Sequence, residues 1–459
     1  MPTLRELASD VAARRTGAHE FVSGSLRRIE KLDPDLGAVV ALRAEAALNE
    51  ATGLDATLAA GGEAGPLAGL PLLVKDMTDV AGMRSTYGSL AFAEAEPATR
   101  DALVVERLRA AGAIVVGKTN MPEFAAEGFT SNLLFGPTRN PWNLERTPGG
   151  SSGGSGAAIA AGLAAIATAT DGGGSIRIPA AYCGLFGLKP TNGVIGRAPV
   201  PDWIDYSTDG PLTVRADDLR LLLNVLAGPT PGDPKAVPLR VEGDTAIGPV
   251  AAVELWVIDG SLPAETSQIF SAAVARFAEI FGVGPRPVTP GDLFDANPED
   301  DWISVVGFEH ANAFGRSWVE EHRDQLSPSG LAFLEGGLEI SPETYMAARR
   351  RRFDAVRVLD ELIGENGLLL SPVMASDAMR AEGPDEGMTA NELYVTTLQN
   401  ITGNPAVSLP AGAFPSGVPF GLQVTAPRSR DDLLLWIADR WEGAQGVPPS
   451  PPGYEPFGL

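Results

Sequence analysis

Apolar and polar positions alternate with helical spacing over residues 3–50, with breaks expected at Thr16-Gly17 and Asp33-Pro34. Thr3 followed three residues later by Glu6 has the form of a capping box, so the first helix is expected to begin there. Residues 66–75, PLAGLPLLVK, form a short apolar run bounded by Pro and Gly and suit a buried strand ending at Lys75. An amphipathic helix is predicted over 101–111 and a second buried strand at AIVV, 113–116. This strand–helix–strand order argues for an α/β layered fold. Near the end, 368–373 and 406–410 read as strands and 433–444 as a closing helix. No internal repeat is visible.

The middle of the chain has another texture. Residues 147–197 are rich in Gly, Ser and Ala and poor in charge. Their centre, 157–168, is apolar on every side and reads as a helix buried all round, with a Gly-Ser loop before and after it. Linkers are polar and exposed, so this stretch belongs at the centre of the protein. Beyond residue 215 the pattern weakens. Residues 228–248 and 284–300 read as surface loops, and the run Arg349 to Arg352 as the solvated face of a helix.

Composition changes the picture only in places. Length alone, 459 residues, suggests two or three domains. A net charge of −23 repels phosphate backbones, so nucleic-acid binding is a poor default. The one cysteine, Cys183, excludes an intrachain disulfide and reads as a small buried core residue. The start, MPTLRELASD, lacks an apolar signal core, and no apolar run reaches the roughly 20 residues that span a bilayer. A cytoplasmic enzyme is the expectation.

Two motif matches mislead. Gly112 to Thr119 spells G-x-x-x-x-G-K-T, but its intervening residues read as a strand, and Asn120-Met121-Pro122 prevents a helix from starting at once. Phosphate binding is therefore not expected there. Gly150 to Gly154 spells G-x-S-x-G around Ser152. A nucleophile elbow also needs an acid and then a histidine. With only His19, His310 and His322 present, a triad through His310 or His322 stays open, and a histidine metal site is weak.

Amide hydrolysis needs a nucleophile, a base and donors for the oxyanion. Serines occur in both Gly-rich loops, at Ser151-Ser152 and Ser175. Glycines let backbone N–H groups converge, and Gly172-Gly173-Gly174-Ser175 suits such a nest. With histidine scarce, a neutral lysine could serve as base. An unperturbed lysine, with a pKa of about 10.4, is neutral in only about one molecule in 2,500 at pH 7, so it would have to be buried. Lys75, after the apolar run LPLLV, is a candidate.

The segments PLLVKDMTDVAGMRSTYGS (71–89), GAIVVGKTNMPEFA (112–125), NPWNLERTPGGSSGGSGAA (140–158) and TDGGGSIRIPAAYCGLFGLKPT (170–191) resemble the amidase signature family. The resemblance covers about 66–215 closely and the flanks more loosely. It implies one α/β domain over 1–459, with a central mixed, twisted β-sheet covered by helices on both sides and a variable, substrate-shaping region at about 216–390. It also implies a Ser–Ser–Lys triad in which Ser175 is nucleophile, Ser151 (preceded by a cis peptide bond) the relay and Lys75 the base. The oxyanion-hole positions fall on the N–H groups of Gly172, Gly173, Gly174 and Ser175, and supporting positions on Ser152, Asp171 and Arg177. Many family members carry Thr or Ile where this chain has Gly172, so a wider acyl pocket is expected at that point. The family needs no metal or cofactor. A small-molecule amide substrate and a homodimer are the partners it suggests, with neither nucleic acid nor membrane. The alternative within the family is a subunit of a glutamine-dependent tRNA amidotransferase. Trp203, Tyr206, Trp302, Phe308 and Phe314 are candidate linings for an apolar pocket.

Overall fold

The computed structural model describes residues 1–458 except 201–202, 239–247, 249, 254–261, 294–297 and 384–393. Thr3 caps the first helix, Leu4–Ala12, and Glu6 closes the capping box. The next helix, Ala18–Leu36, runs through Pro34 and ends at Gly37, whose left-handed backbone (φ 61°) stops it. The break expected at Asp33-Pro34 is therefore displaced. Residues 39–42 are not helical either: Val39–Leu42 is a strand, pulled into antiparallel pairing with Ile114–Thr119. Local helical spacing lost there to a ladder that only distant residues could offer.

Three sheets carry the architecture. The first has four strands in the order Val39–Leu42, Ile114–Thr119, Pro71–Lys75, Ile166–Ala167. Pro71–Lys75 is wholly buried and parallel to both of its neighbours, and Lys75 ends it. The second has seven strands of mixed direction in the order Arg286–Val288, Val250–Val253, Leu368–Pro372, Pro419–Thr425, Ala406–Ala413, Phe186–Lys189, Leu212–Thr213. The third pairs Ala169–Asp171 with Thr208–Gly210. Helices cover the large sheet on both faces. Gly421 faces Ala181 of the helix Arg177–Cys183, where a side chain would come within 2.5 Å of its Cβ. Phe420 and Leu422 point the other way and join the core cluster that includes Trp441 of the closing helix Asp431–Gln445.

The central helix is Gly153–Ala160, with every residue buried. It starts earlier and ends sooner than the expected 157–168. Residues 161–165 turn and 166–167 join the first sheet, because Leu72 and Leu73 lie alongside as pairing partners. Its glycines are there for close approach. A Cβ on Gly154 would stand 2.5 Å from the backbone N and O of Asn120. Cys183 is buried, as read from the sequence.

The segment Gly112 to Thr119 is strand for its last six residues, and Lys118 Nζ is turned inward to Asp76 O, Arg84 O and Ser85 Oγ. Nothing in it can cradle a phosphate. The arginine run differs from expectation. Arg350 and Arg351 are solvated, but Arg349 pairs with Asp205 and Glu309, and Arg352 lies over the Tyr206 ring beside Asp205. Helical spacing puts residues three apart on one face, which here meets buried acids. Part of the expected loop 228–248 and part of 284–300 lie outside the described residues. Among the described residues no helix is long and apolar enough to cross a membrane.

Candidate active site

The buried end of the strand Pro71–Lys75 delivers the Lys75 side chain under the loop that opens the central helix. Lys75 is fully buried. Its Nζ lies 2.7 Å from Ser151 Oγ and 2.8 Å from Thr170 Oγ1, and its backbone N–H donates to Thr168 Oγ1 at 2.8 Å. Burial strips water from the amine and lowers its pKa to about 7, against the opposing pull of Asp171 and Asp209. The peptide bond between Gly150 and Ser151 is cis. Ser151 and Ser175 line the same cavity of about 140 Å³, together with Thr170 and Gly172.

The second loop is held by an ionic knot without solvent contact. The Asp171 carboxylate accepts from the N–H groups of Gly174 (2.9 Å) and Ile176 (3.2 Å) and from Arg177 Nη2 and Nε (2.7 and 2.9 Å). Burial opposes its ionisation, yet the Arg177 guanidinium holds it down at about 2. Arg177 reaches on to Gln399, Asn400 and Gln423. Asn400 Nδ2 returns to the Asp171 carbonyl at 2.9 Å. The carbonyls of Gly172 and Gly173 accept from Trp302 Nε1 (2.7 Å) and from the Thr396 hydroxyl. A peptide's N–H points opposite to its C=O, so the pinned carbonyls of Asp171 and Gly172 direct the N–H groups of Gly172 and Gly173 away from these clamps.

Two expectations need correction. The Gly174 N–H is committed to Asp171, so it is not available to a substrate oxygen. The space above Gly172 is not open. A Cβ there would stand 2.4 Å from the Trp203 indole, which fills the volume a longer side chain would have occupied. The aromatic expectation also divides. Trp203 lines the cavity, and Trp302 stands behind the glycine loop. Phe308 stacks on Tyr345, Phe314 stacks on Trp318, and Tyr206 is buried beneath Arg352; these three lie outside the cavity wall.

The elbow reading of Ser152 does not survive. Its hydroxyl is engaged with the Thr170 backbone, at 3.3 Å to both N and O. His322 stacks on Trp318, away from the cavity. His310 does border the cavity, packed between Phe124 and Trp203.

Several residues escaped the sequence reading. Thr170 shares the Lys75 amine, and Asp209 is its partner in the antiparallel pair with Ala169–Asp171. Asp209 lines the cavity beside Arg197, 3.6 Å away. Burial raises its pKa, with Arg197 and Lys75 opposing. Neither residue type nor spacing marks Thr170 or Asp209. Only the pairing across the two-stranded sheet brings them to the lysine.

A sequence model of the amidase family matches residues 20–253 and 317–435. An acylamidase of Rhodococcus erythropolis is 33% identical over 459 residues, covering 96% of this chain and 94% of that one. The A component of the glutamyl-tRNA(Gln) amidotransferase of Thermus thermophilus is 35% identical over 470 residues, covering 96% of each. The solved structure of a bacterial aryl acylamidase of the amidase signature family superposes with a TM-score of 0.86 at 27% identity, over 96% of both chains. With the glycine-serine loops, the fold and these relatives in agreement, the chain belongs to the amidase signature family of hydrolases that act on amide C–N bonds.

Proposed function

We propose that the protein hydrolyses a carboxylic acid amide to the acid and ammonia or an amine through an acyl-enzyme on Ser175. The chain acts as one domain, its largest core cluster drawing on residues from Leu4 to Trp441. Neutral Lys75 accepts the proton of Ser151 as Ser151 accepts that of Ser175. The Ser175 oxygen bonds to the amide carbon, and the carbonyl electrons move onto oxygen. The N–H groups of Gly172, Gly173 and Ser175 face that oxygen. The relay then runs backward, the leaving nitrogen takes the proton from Ser151, and the C–N bond breaks. Water enters by the same relay and releases the acid. No metal or cofactor enters this scheme.

One observation carries the reading: a fully buried lysine amine, drawn to about 7, lies 2.7 Å from a serine hydroxyl in the cavity that also holds Ser175. An oxyanion donor is typically worth about a hundred- to a thousand-fold in rate, and the pinned carbonyls of Asp171 and Gly172, which share their peptides with the N–H groups of Gly172 and Gly173, support that role for those two donors.

The test is ammonia or amine release from a panel of aliphatic, aromatic and peptide amides by wild type, Ser175→Ala and Lys75→Ala. Release by wild type alone is expected. Equal release by Ser175→Ala refutes the nucleophile, and retained turnover by Lys75→Ala refutes the relay. The 35% identity to a tRNA amidotransferase component supports a second reading, supply of ammonia from glutamine to a partner. Glutamine turnover that appears only with partner proteins present favours it.

A further inference from the structure

The cavity has polar and aromatic lining. Thr170, Asp209, Arg197 and Asp79 are among its polar residues. Tyr87, Phe124, Trp203 and His310 are its aromatic ones. The aromatic wall is contiguous: His310 lies 5.4 Å from Phe124 and 6.1 Å from Trp203, ring centre to ring centre. Its backbone is unusual. Five non-glycine residues among those described have positive φ, and three of them, Tyr87 (54°), Phe124 (55°) and Ala125 (60°), line this cavity. The Phe124 N–H donates to the Tyr87 carbonyl at 2.9 Å, so two of these turns are held against each other. Such conformations cost energy, and bulky residues keep them where the surroundings fix a side chain in a required place. Here the required place is the wall.

Size and position narrow the occupant. A cavity of about 150 Å³ lined by apolar side chains takes one benzene ring. The whole cavity here, serines and polar lining included, is about 140 Å³, so its aromatic part has room for one ring at most. Trp203 stands over Gly172, on the side of the glycine loop, whereas the leaving nitrogen must lie at Ser151 to take its proton. The group beside Trp203 is then the one bonded to the carbonyl carbon.

We infer that the wall of Tyr87, Phe124, Trp203 and His310 is an acyl subsite for a single planar ring, so that arylcarboxamides of the benzamide type are the preferred substrates. The inference rests on the proposed hydrolysis at Ser175. Offset and edge-to-face ring contacts favour a flat aromatic group over a puckered ring of equal carbon count.

The experiment compares benzamide, cyclohexanecarboxamide and acetanilide. Turnover by wild type gives kcat/KM, and calorimetry on Ser175→Ala gives binding without chemistry. Benzamide is expected to exceed cyclohexanecarboxamide by about tenfold or more in both readouts, a difference of about 1.4 kcal/mol. Trp203→Leu is expected to reduce that ratio towards one, and Trp203→Phe to keep most of it. Equal use of benzamide and cyclohexanecarboxamide by wild type overturns the subsite, whatever the variants do. A preference for acetanilide overturns the acyl placement. Tight, ring-selective binding to Ser175→Ala with no turnover of any amide by wild type keeps the subsite and sinks the hydrolysis. Turnover without ring selectivity does the reverse.

Discussion

The protonation of Lys75 makes a quantitative demand on the rate. The proposed relay starts only from the neutral amine, and the lysine pKa is about 7 in place of 10.5. That displacement corresponds to about 5 kcal/mol at 1.36 kcal/mol per pH unit. Removing a charge-bearing amine from water costs this order of free energy, and the Lys75 side chain is fully buried. The neutral fraction follows from the same value: about one half at pH 7, about one in eleven at pH 6 and about one in a hundred at pH 5. The logarithm of kcat/KM for a neutral amide should therefore rise with a slope of one from about pH 5, bend near 7 and flatten above 8. An unperturbed lysine would keep the rate climbing past pH 9. The assay is initial-rate amine release across that range, with the fold checked at each pH by circular dichroism. A flat profile down to about pH 5, or a limb centred near 10, refutes the neutral-lysine relay.

Two further outcomes test the same electrostatics. Asp209→Asn removes a carboxylate that favours the charged amine, so the acid limb should move to lower pH; an unmoved limb means that Lys75 is not the titrating group. Lys75→Met should change how stability depends on pH. The unfolded chain keeps the lysine proton up to about 10.5 and the folded chain only to about 7, so wild type gains stability as pH rises through that window. The gap in unfolding free energy between variant and wild type should therefore shift in favour of wild type by roughly 2 kcal/mol between about pH 7 and 9. Denaturant melts at the two pH values measure it, and a constant gap contradicts the buried, neutral lysine.

How much of this was readable from sequence depends on what fixed each residue. The glycine-serine loops were legible because backbone meets backbone there. A Cβ on Gly150 would stand 2.6 Å from the Phe129 carbonyl oxygen, so residue type reports geometry directly. Lys75 was legible because five buried strand residues end at it. Thr170 and Asp209 were not, since a two-stranded pairing between residues about forty apart supplies their meaning. The strand 39–42 is hidden in the sequence for the same reason, and the central helix reads too long there because an Ala-rich apolar run fits a buried helix and a buried strand equally well. Trp203 is legible as an aromatic lining, but nothing in the sequence says that it fills the gap left by Gly172.

The carbonyls of Asp171, Gly172 and Gly173 are held by Asn400, Trp302 and Thr396, all far along the chain from the glycine-serine signature. Trp302 also sits edge-on to Trp203, with ring centres 5.7 Å apart. In the proposed scheme one indole thus bears on the rate, through the peptide of the Gly172 carbonyl and the Gly173 N–H, and on selectivity, through its neighbour. A lineage that drifts in its C-terminal half to accept a new amide therefore shifts the loop that the proposed mechanism uses to hold the oxyanion. On that scheme, changes of substrate in this scaffold should arrive with a loss of catalytic power, recovered when the clamps on the Asp171 and Gly172 carbonyls have been reset.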